Sequence, residues 1–198
     1  MADRGTTILD PLAAAIAAAS CEEARLSRLP LVGQVTLRAG RDAVSLAGVA
    51  LDLALPTEPN RVASDGGRAA VWLGPDEWLI LLPRGDVAST VARLEMALDG
   101  GHFAAVDTSA ARLGLALSGP AARQVLAKGC GLDLHPRAFA PGDCAQTALA
   151  RVPVLLVQRD EAPTFWVFVR PSYAVFLARW LIDAIAELRL APIPGLDT

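Results

Sequence analysis

Lys128, Cys130 and His135 fall within eight positions of one another, and Lys128 is the one lysine in the 198-residue chain. A thiol, an imidazole and a cation so close together suggest a cysteine nucleophile with its base, part of a metal site, or a structural loop. A nucleophilic cysteine needs a base within hydrogen-bond reach and surroundings that favour the thiolate. Here Cys130 follows the C-terminal end of a short helix expected over 120–129. The partial negative charge at that end opposes thiolate formation, and Lys128 in the last turn complements the same dipole. The residues therefore favour a structural role for both. As metal ligands, Cys130, His135 and Cys144 are spaced C-x4-H-x8-C. The usual C-x2-4-C knuckle is missing and only His102 remains as a fourth ligand, so no zinc is expected. His135 precedes Pro136, which forces it out of helical conformation and makes a turn. In LDLHPRAF (132–139), Leu132, Leu134 and Phe139 read as packing anchors and Arg137 as an exposed cation. Leu134, His135, Arg137 and Phe139 are the candidate partner-contact residues.

Other chemistry is harder to find. WLGPDEW and SGPAAR carry single glycines before proline, neither a GxGxxG turn nor a GxxxxGK[ST] loop, so neither NAD nor FAD is expected in this chain. Asp107-Thr108-Ser109 ends a strand and could cap or bind a ligand, but as a common turn signature it is read as a turn. Trp72, Trp78, Trp166 and Trp180 occupy core-like positions, although tryptophan and arginine also anchor interfaces. No catalytic, cofactor-binding or metal-binding residue is assigned.

The elements that must position these residues alternate between two periods. PLAAAIAAASC (11–21) is alanine-rich and is expected to be a short helix rather than an export signal, because acidic residues precede it and alanine makes a weak hydrophobic region. Strands are expected at 34–40 and 42–55, where apolar and polar residues alternate, and a loop at 56–67. A hairpin is expected over 69–83 around Gly74-Pro75-Asp76. Asp86 is placed as the N-cap of a helix with Val87, Val91, Leu94 and Leu98 on one stripe and Gly100 at its end. Strands follow at 103–107 and 111–117. After the 120–129 helix come a loop (130–146), paired strands near 147–158 and 163–169, and a last helix from Ser172. Tyr173, Phe176, Leu177, Trp180, Leu181, Ala184 and Leu188 form its expected apolar face.

An internal repeat emerges. Hairpin 69–82, Pro83-Arg84 and helix 86–98 match hairpin 152–169, Arg170-Pro171 and helix 173–188 in the order of their elements. The expected fold class is therefore α+β, with two split β-α-β (ferredoxin-like) units, antiparallel sheets and helices packed on them. Residues 1–30 are read as an N-terminal helix and extended arm, 31–190 as the domain, and 191–198 as a tail.

Hydrophobic residues make up 53% of the chain, charged residues 20%, and the formal net charge is -3. The mean hydropathy of +0.39 leaves apolar surface to spare for a partner. Nothing resembles the basic footprint of a nucleic-acid binder, and no run reaches the ~18 apolar residues of a membrane span. Three cysteines without regular spacing suggest reduced thiols and a cytoplasmic location.

WLGPDEWLIL (72–81), VDTSAARLGLALSGPAARQVLAKGCGLDLHPRAF (106–139), PGDCAQTAL (141–149) and RPSYAVFLARWLIDA (170–184), in that order, resemble the gamma subunit of heterotetrameric sarcosine oxidase. That family is related to the folate-binding fold of the glycine-cleavage T-protein (aminomethyltransferase). The resemblance implies a fold of that type and a complex with alpha, beta and delta subunits. It implies oxidative demethylation of sarcosine by O2 to glycine and hydrogen peroxide, with the one-carbon unit passing to tetrahydrofolate as 5,10-methylenetetrahydrofolate. It places FAD, FMN, NAD and tetrahydrofolate in the alpha and beta chains and zinc in delta, leaving gamma to help assembly or stability. Two alternatives stay open. One is a free-standing folate-binding one-carbon protein, since Lys128-Gly129-Cys130 resembles the K-G-C of the iron–sulfur-repair branch of the T-protein superfamily. That branch continues with Tyr and Gly-Gln-Glu, however, and this chain continues with Gly131-Leu132-Asp133. The other is a subunit of a related N-methyl amino-acid dehydrogenase.

Overall fold

Several strands of this chain are apolar on both faces, and that pattern dictates its layers. A strand with one wet face alternates; a strand covered on both sides reads as a continuous apolar run. EWLILL and VPVLLV are such runs, and both are buried along most of their length. In the computed structural model, which describes residues 7–189, they belong to two five-stranded sheets packed face to face, with helices outside each.

One sheet contains β1 (Arg25–Arg28), β7 (Leu113–Ser118), β8 (Cys144–Leu149), β9 (Val152–Asp160) and β10 (Thr164–Val169), in the spatial order β1-β7-β10-β9-β8. The other contains β2 (Gly33–Ala39), β3 (Val62–Asp65), β4 (Arg68–Gly74), β5 (Glu77–Leu82) and β6 (Phe103–Asp107), in the order β3-β4-β5-β2-β6. Every pairing is antiparallel. The helices are α1 (Ala13–Ala19), α2 (Val44–Leu51), α3 (Val87–Ala97), α4 (Ala122–Ala127) and α5 (Pro171–Ala186).

The two sheets are built alike. β2-α2-β4-β5-α3-β6 has the chain order and the β6-β2-β5-β4 spatial order of a split β-α-β unit, with β3 added outside β4. β7-α4-β9-β10-α5 repeats it, with β8 outside β9. Its fourth strand position, beside β7, is taken by β1 from the N-terminal end of the chain. The repeat read from element order is thus present, with a circular shift in the second copy.

Three apolar clusters follow from strand alternation. Ala70, Trp78, Ile80 and Leu82 face α2 and α3. Phe165, Val167 and Val169 face the layer of α1, α4 and α5. The opposite faces meet between the sheets: Ala69, Val71, Leu73, Leu79 and Leu81 from one, Cys144, Leu155, Val157 and Phe168 from the other. Trp78 is 1% exposed, and its indole N–H donates to the Pro56 carbonyl at 2.8 Å, so its one polar atom is satisfied.

Several local expectations need correction. The strand expected at 42–55 is instead mostly helix: a 3-10 turn at Arg41–Ala43 leads into α2, which ends at Leu51. Its apolar residues satisfy both periods, since Val44, Ala47 and Leu51 are spaced i, i+3, i+7 on the core side. The tie is broken by tertiary structure, because β2 already has β5 on one edge and β6 on the other. Part of the expected 56–67 loop is β3. The expected 147–158 strand is two strands, β8 and β9, joined at Ala150 and Arg151, which both have positive φ (52° and 66°). No glycine or asparagine marks that turn, so the sequence concealed it. Asp86 stands at the N-cap of α3 but makes no cap bond; its carboxylate instead lies 3.5 Å from Arg68. The helix expected over 120–129 is shorter, Ala122–Ala127 with Ala121 at the N-cap. The last helix begins at Pro171, with Arg170 at the N-cap. Its buried stripe uses Ala174 and Ala178 beside Leu177, Leu181, Ala184 and Ile185, while Tyr173 and Phe176 point outward, 43% and 53% exposed. The 191–198 tail lies outside the described residues.

If the inter-sheet contact stabilises the molecule, Phe168→Ala (1% exposed) should cost about 3–5 kcal/mol in urea unfolding. Met96→Ala (81% exposed) should change stability by no more than about 0.5 kcal/mol. Equal effects of the two substitutions would contradict this packing.

Candidate functional site

The structure does not gather Lys128, Cys130 and His135 into one centre; each has its own partners. Lys128 Nζ donates to the Ala184 carbonyl and to the Glu187 carboxylate, both at 2.6 Å, and so ties the end of α4 to the end of α5. Cys130 is 9% exposed and bridges to Leu149, with Sγ 3.9 Å from Thr147 Oγ1. His135 lies in an exposed turn: its backbone N–H donates to Asp133 Oδ1 at 2.9 Å, and its Nδ1 accepts from the Arg137 backbone N–H at 3.2 Å. That turn matches the conformation forced on a residue before proline. Between Lys128 and Cys130, a Cβ on Gly129 would lie 2.6 Å from the Trp180 ring, so glycine permits the helix end to close against α5.

The four candidate contact residues divide in two. Leu134 and Phe139 are core residues, 5% and 4% exposed. Phe139 stacks on Phe165 with ring centroids 6.4 Å apart. Arg123 donates to the carbonyls of Leu134 and Phe139 and lies 5.3 Å over the Phe165 ring, clamping the loop from α4. His135 and Arg137 are exposed at the same loop's tip, and they alone of the four can reach another molecule.

PGDCAQTAL is a seam between the sheets. The Arg61 guanidinium pairs with Asp143, which also accepts from the Ala140 N–H at 2.8 Å. The Val62 N–H donates to the Gly142 carbonyl, and the Cys144 N–H to that of Asn60, both at 2.8 Å. Gln146 Nε2 reaches across to the Leu73 carbonyl at 2.8 Å. Cys144 is fully buried, and burial pushes its thiol up to about 12 against a smaller lowering effect of the Trp72 backbone. It is a buried weak donor, not a nucleophile. Asp107-Thr108-Ser109 forms the expected turn, with Ser109 N–H and Oγ donating to Asp107 Oδ1 at 2.9 and 2.6 Å. Those bonds hold the Asp107 carboxyl below its ordinary range.

The segments that carry the sequence motifs therefore join layers, and none of them aligns a nucleophile with a base. Among the described residues, no group of three or more His, Cys, Asp or Glu side chains could hold a metal ion. No helix among them is long and apolar enough to cross a membrane. What the motifs share is their place in one architecture, and known proteins have that architecture. The model of the sarcosine oxidase, gamma subunit family matches residues 39–187.

The chain belongs to the sarcosine oxidase gamma subunit family.

Similar curated proteins are the sarcosine oxidase subunit gamma of Corynebacterium sp. (strain P-1), 39% identical over 172 residues, and that of Arthrobacter sp., 39% identical over 165. The alignments cover 85% and 82% of this chain and 83% and 80% of those proteins. The structure is similar to a chain of the heterotetrameric sarcosine oxidase from Corynebacterium sp. U-96 in complex with pyrrole 2-carboxylate. There the TM-score is 0.88 and the identity 34%, over 95% of this chain and 98% of that one. It is also similar to the glycine cleavage system aminomethyltransferase T from Bartonella henselae, with TM-score 0.62 and 16% identity, over 87% of this chain and 49% of that one. The second likeness is one of fold. The gamma family and the expected aminomethyltransferase-like architecture are thus both in place.

Reading the sequence missed two residues that the fold brings together. Arg112 opens RLGLAL and Arg170 opens RPSY, 58 positions apart. Antiparallel pairing of β7 with β10 makes them neighbours. The signal was available only through strand register.

The burial of Cys144 has a direct chemical consequence. Iodoacetamide at about pH 8 should alkylate the half-buried Cys21 of the native chain well before Cys144, which should react only after unfolding. Native labelling of Cys144 at the rate of Cys21 would contradict the seam.

Proposed function

We propose that this chain is the gamma subunit of a heterotetrameric sarcosine oxidase, with alpha, beta and delta chains as partners in the cytoplasm. The complex demethylates sarcosine with O2, yielding glycine and hydrogen peroxide, and passes the one-carbon unit to tetrahydrofolate as 5,10-methylenetetrahydrofolate. FAD, FMN, NAD, tetrahydrofolate and zinc belong to the partner chains, and gamma supplies no reacting group. The observation that carries this reading is the near-full-length likeness to a chain of a heterotetrameric sarcosine oxidase. The separate structural partners of Lys128, Cys130 and His135 support it.

The physical work of such a subunit is positional. Covering a partner surface and holding large chains in one arrangement removes orientational freedom that would otherwise oppose bringing cofactors and substrate together. Exposed apolar side chains suit that work: Leu46 and Val49 on α2, Met96 on α3, and Tyr173 and Phe176 on α5. His135 and Arg137 add polar contacts at the loop tip.

Co-expression of the partner chains with and without this chain tests the reading. Omitting it should lower the yield of assembled complex and of sarcosine-dependent peroxide formation together, and the lone chain should turn over no sarcosine. Full assembly and full activity without it would refute the proposal.

A further inference from the structure

Two arginines stand side by side in this structure without a carboxylate between them. The last register pair of β7 and β10 is Leu113 with Val169. The next positions, one residue beyond the paired ends of the two strands, are Arg112 and Arg170. Like charges opposite one another on neighbouring strands destabilise a sheet. Among the described residues, neither guanidinium takes part in an ion pair. The nearby Glu77 has its carboxylate 3.9 Å from Arg38.

Arg170 is exposed, whereas Arg112 is the more enclosed of the two. It is half-buried, and Gln34, only 2% exposed, fastens its backbone by donating from Nε2 to the Arg112 carbonyl at 2.9 Å. Burial is the largest influence on its pKa and lowers it from the ordinary guanidinium value; Glu77 acts against that and Arg170 with it. The group stays charged all the same, since arginine does not deprotonate in proteins. A charge in a partly dry site, with Glu77 acting on it but not paired to it, gains from a direct counter-ion.

Space for that partner exists. Arg112 and Arg170 line a recess of about 560 Å³ together with Thr36, Thr108, Pro171 and Ser172. Thr36 and Thr108 are joined through their hydroxyls at 2.9 Å, and Thr108 Oγ1 donates to the Gln34 carbonyl at 3.4 Å, so the two threonines form the recess wall and leave the anion to the guanidinium groups. The sixteen-residue α5 begins at the recess with no side-chain cap and no acidic residue in its first turn, so its positive end adds to the field of the two cations. Threonine methyls, Ala111 and Pro171 provide short apolar walls. Planar guanidinium groups match carboxylates in two-point contacts, and apolar walls favour the carbon chain of an organic acid over a bare inorganic anion.

We propose that the Arg112–Arg170 recess is a carboxylate-binding site. The carboxylate comes either as a small free acid or as an acidic side chain of a neighbouring subunit, and both present the same group to the two guanidinium ions.

Titration of the full-length chain with succinate at constant ionic strength, followed by thermal unfolding, tests the site without requiring assembly, so its failure is distinct from failure of the gamma-subunit reading. Succinate should raise the Tm saturably. Arg112→Met and Arg170→Met should each weaken the effect by about tenfold or more, with Arg112→Lys intermediate. Without succinate, Arg170→Met should be at least as stable as the parent chain, because it removes repulsion; a purely structural arginine would lose stability instead. Succinate binding to both the free chain and the assembled complex would identify a small free acid. Binding to the free chain that assembly abolishes would identify a neighbour's side chain. Absence of saturable binding by the parent chain, equal binding by both methionine variants, or tighter binding of inorganic phosphate than of succinate would overturn the proposal.

Discussion

Face-to-face packing of two sheets is the constraint on which this molecule depends. Ala69, Val71, Leu73, Leu79 and Leu81 meet Cys144, Leu155, Val157 and Phe168, and nearly all are withdrawn from water. Each sheet also needs helices on its other face, which is why β5 and β9 are apolar on consecutive residues rather than on alternate ones. Burial supplies the energy, while Arg61–Asp143, Cys144–Asn60 and Gln146–Leu73 fix the alignment. The segment carrying the most chemically suggestive cysteine after Cys130 is therefore the segment that joins the halves.

Legibility from sequence tracked how local each signal was. The β4-β5 hairpin, α3 and its stripe, and the β-β-α repeat were readable because Gly74-Pro75-Asp76, the i, i+3, i+4 spacing and Gly100 lie within or just beyond the elements they specify. α2 was not, because Val44, Ala47 and Leu51 fit a strand as well as a helix until β5 and β6 occupy both edges of β2. The Ala150-Arg151 turn escaped because two ordinary residues adopt positive φ there. α5 was found but rotated: the small Ala174 and Ala178 face the sheet, and the aromatic Tyr173 and Phe176 face out. Size complementarity against another layer has no local signature. Of the site residues, Leu134 and Phe139 were legible as anchors from their type, whereas the meeting of Arg112 with Arg170 required strand register.

Reactive residue types do not by themselves make an active site. Lys128 neutralises a helix end, Cys130 and Cys144 fill buried positions, and His135 shapes a turn before Pro136. Their roles are those of a scaffold, in keeping with a family named for a subunit. Outward apolar residues on α2, α3 and α5 and two neighbouring arginines without an ion pair among the described residues remain. Both features cost stability in an isolated chain and are understandable in one that adheres to others.

The inter-sheet core makes the two similar halves one cooperative unit. Native-state hydrogen exchange tests it most directly. Amides of β5 in one sheet and β9 in the other should open with the same free energy, equal to that of global unfolding. Exchange of one sheet while the other stays protected would show that the halves stand independently and would contradict the claim.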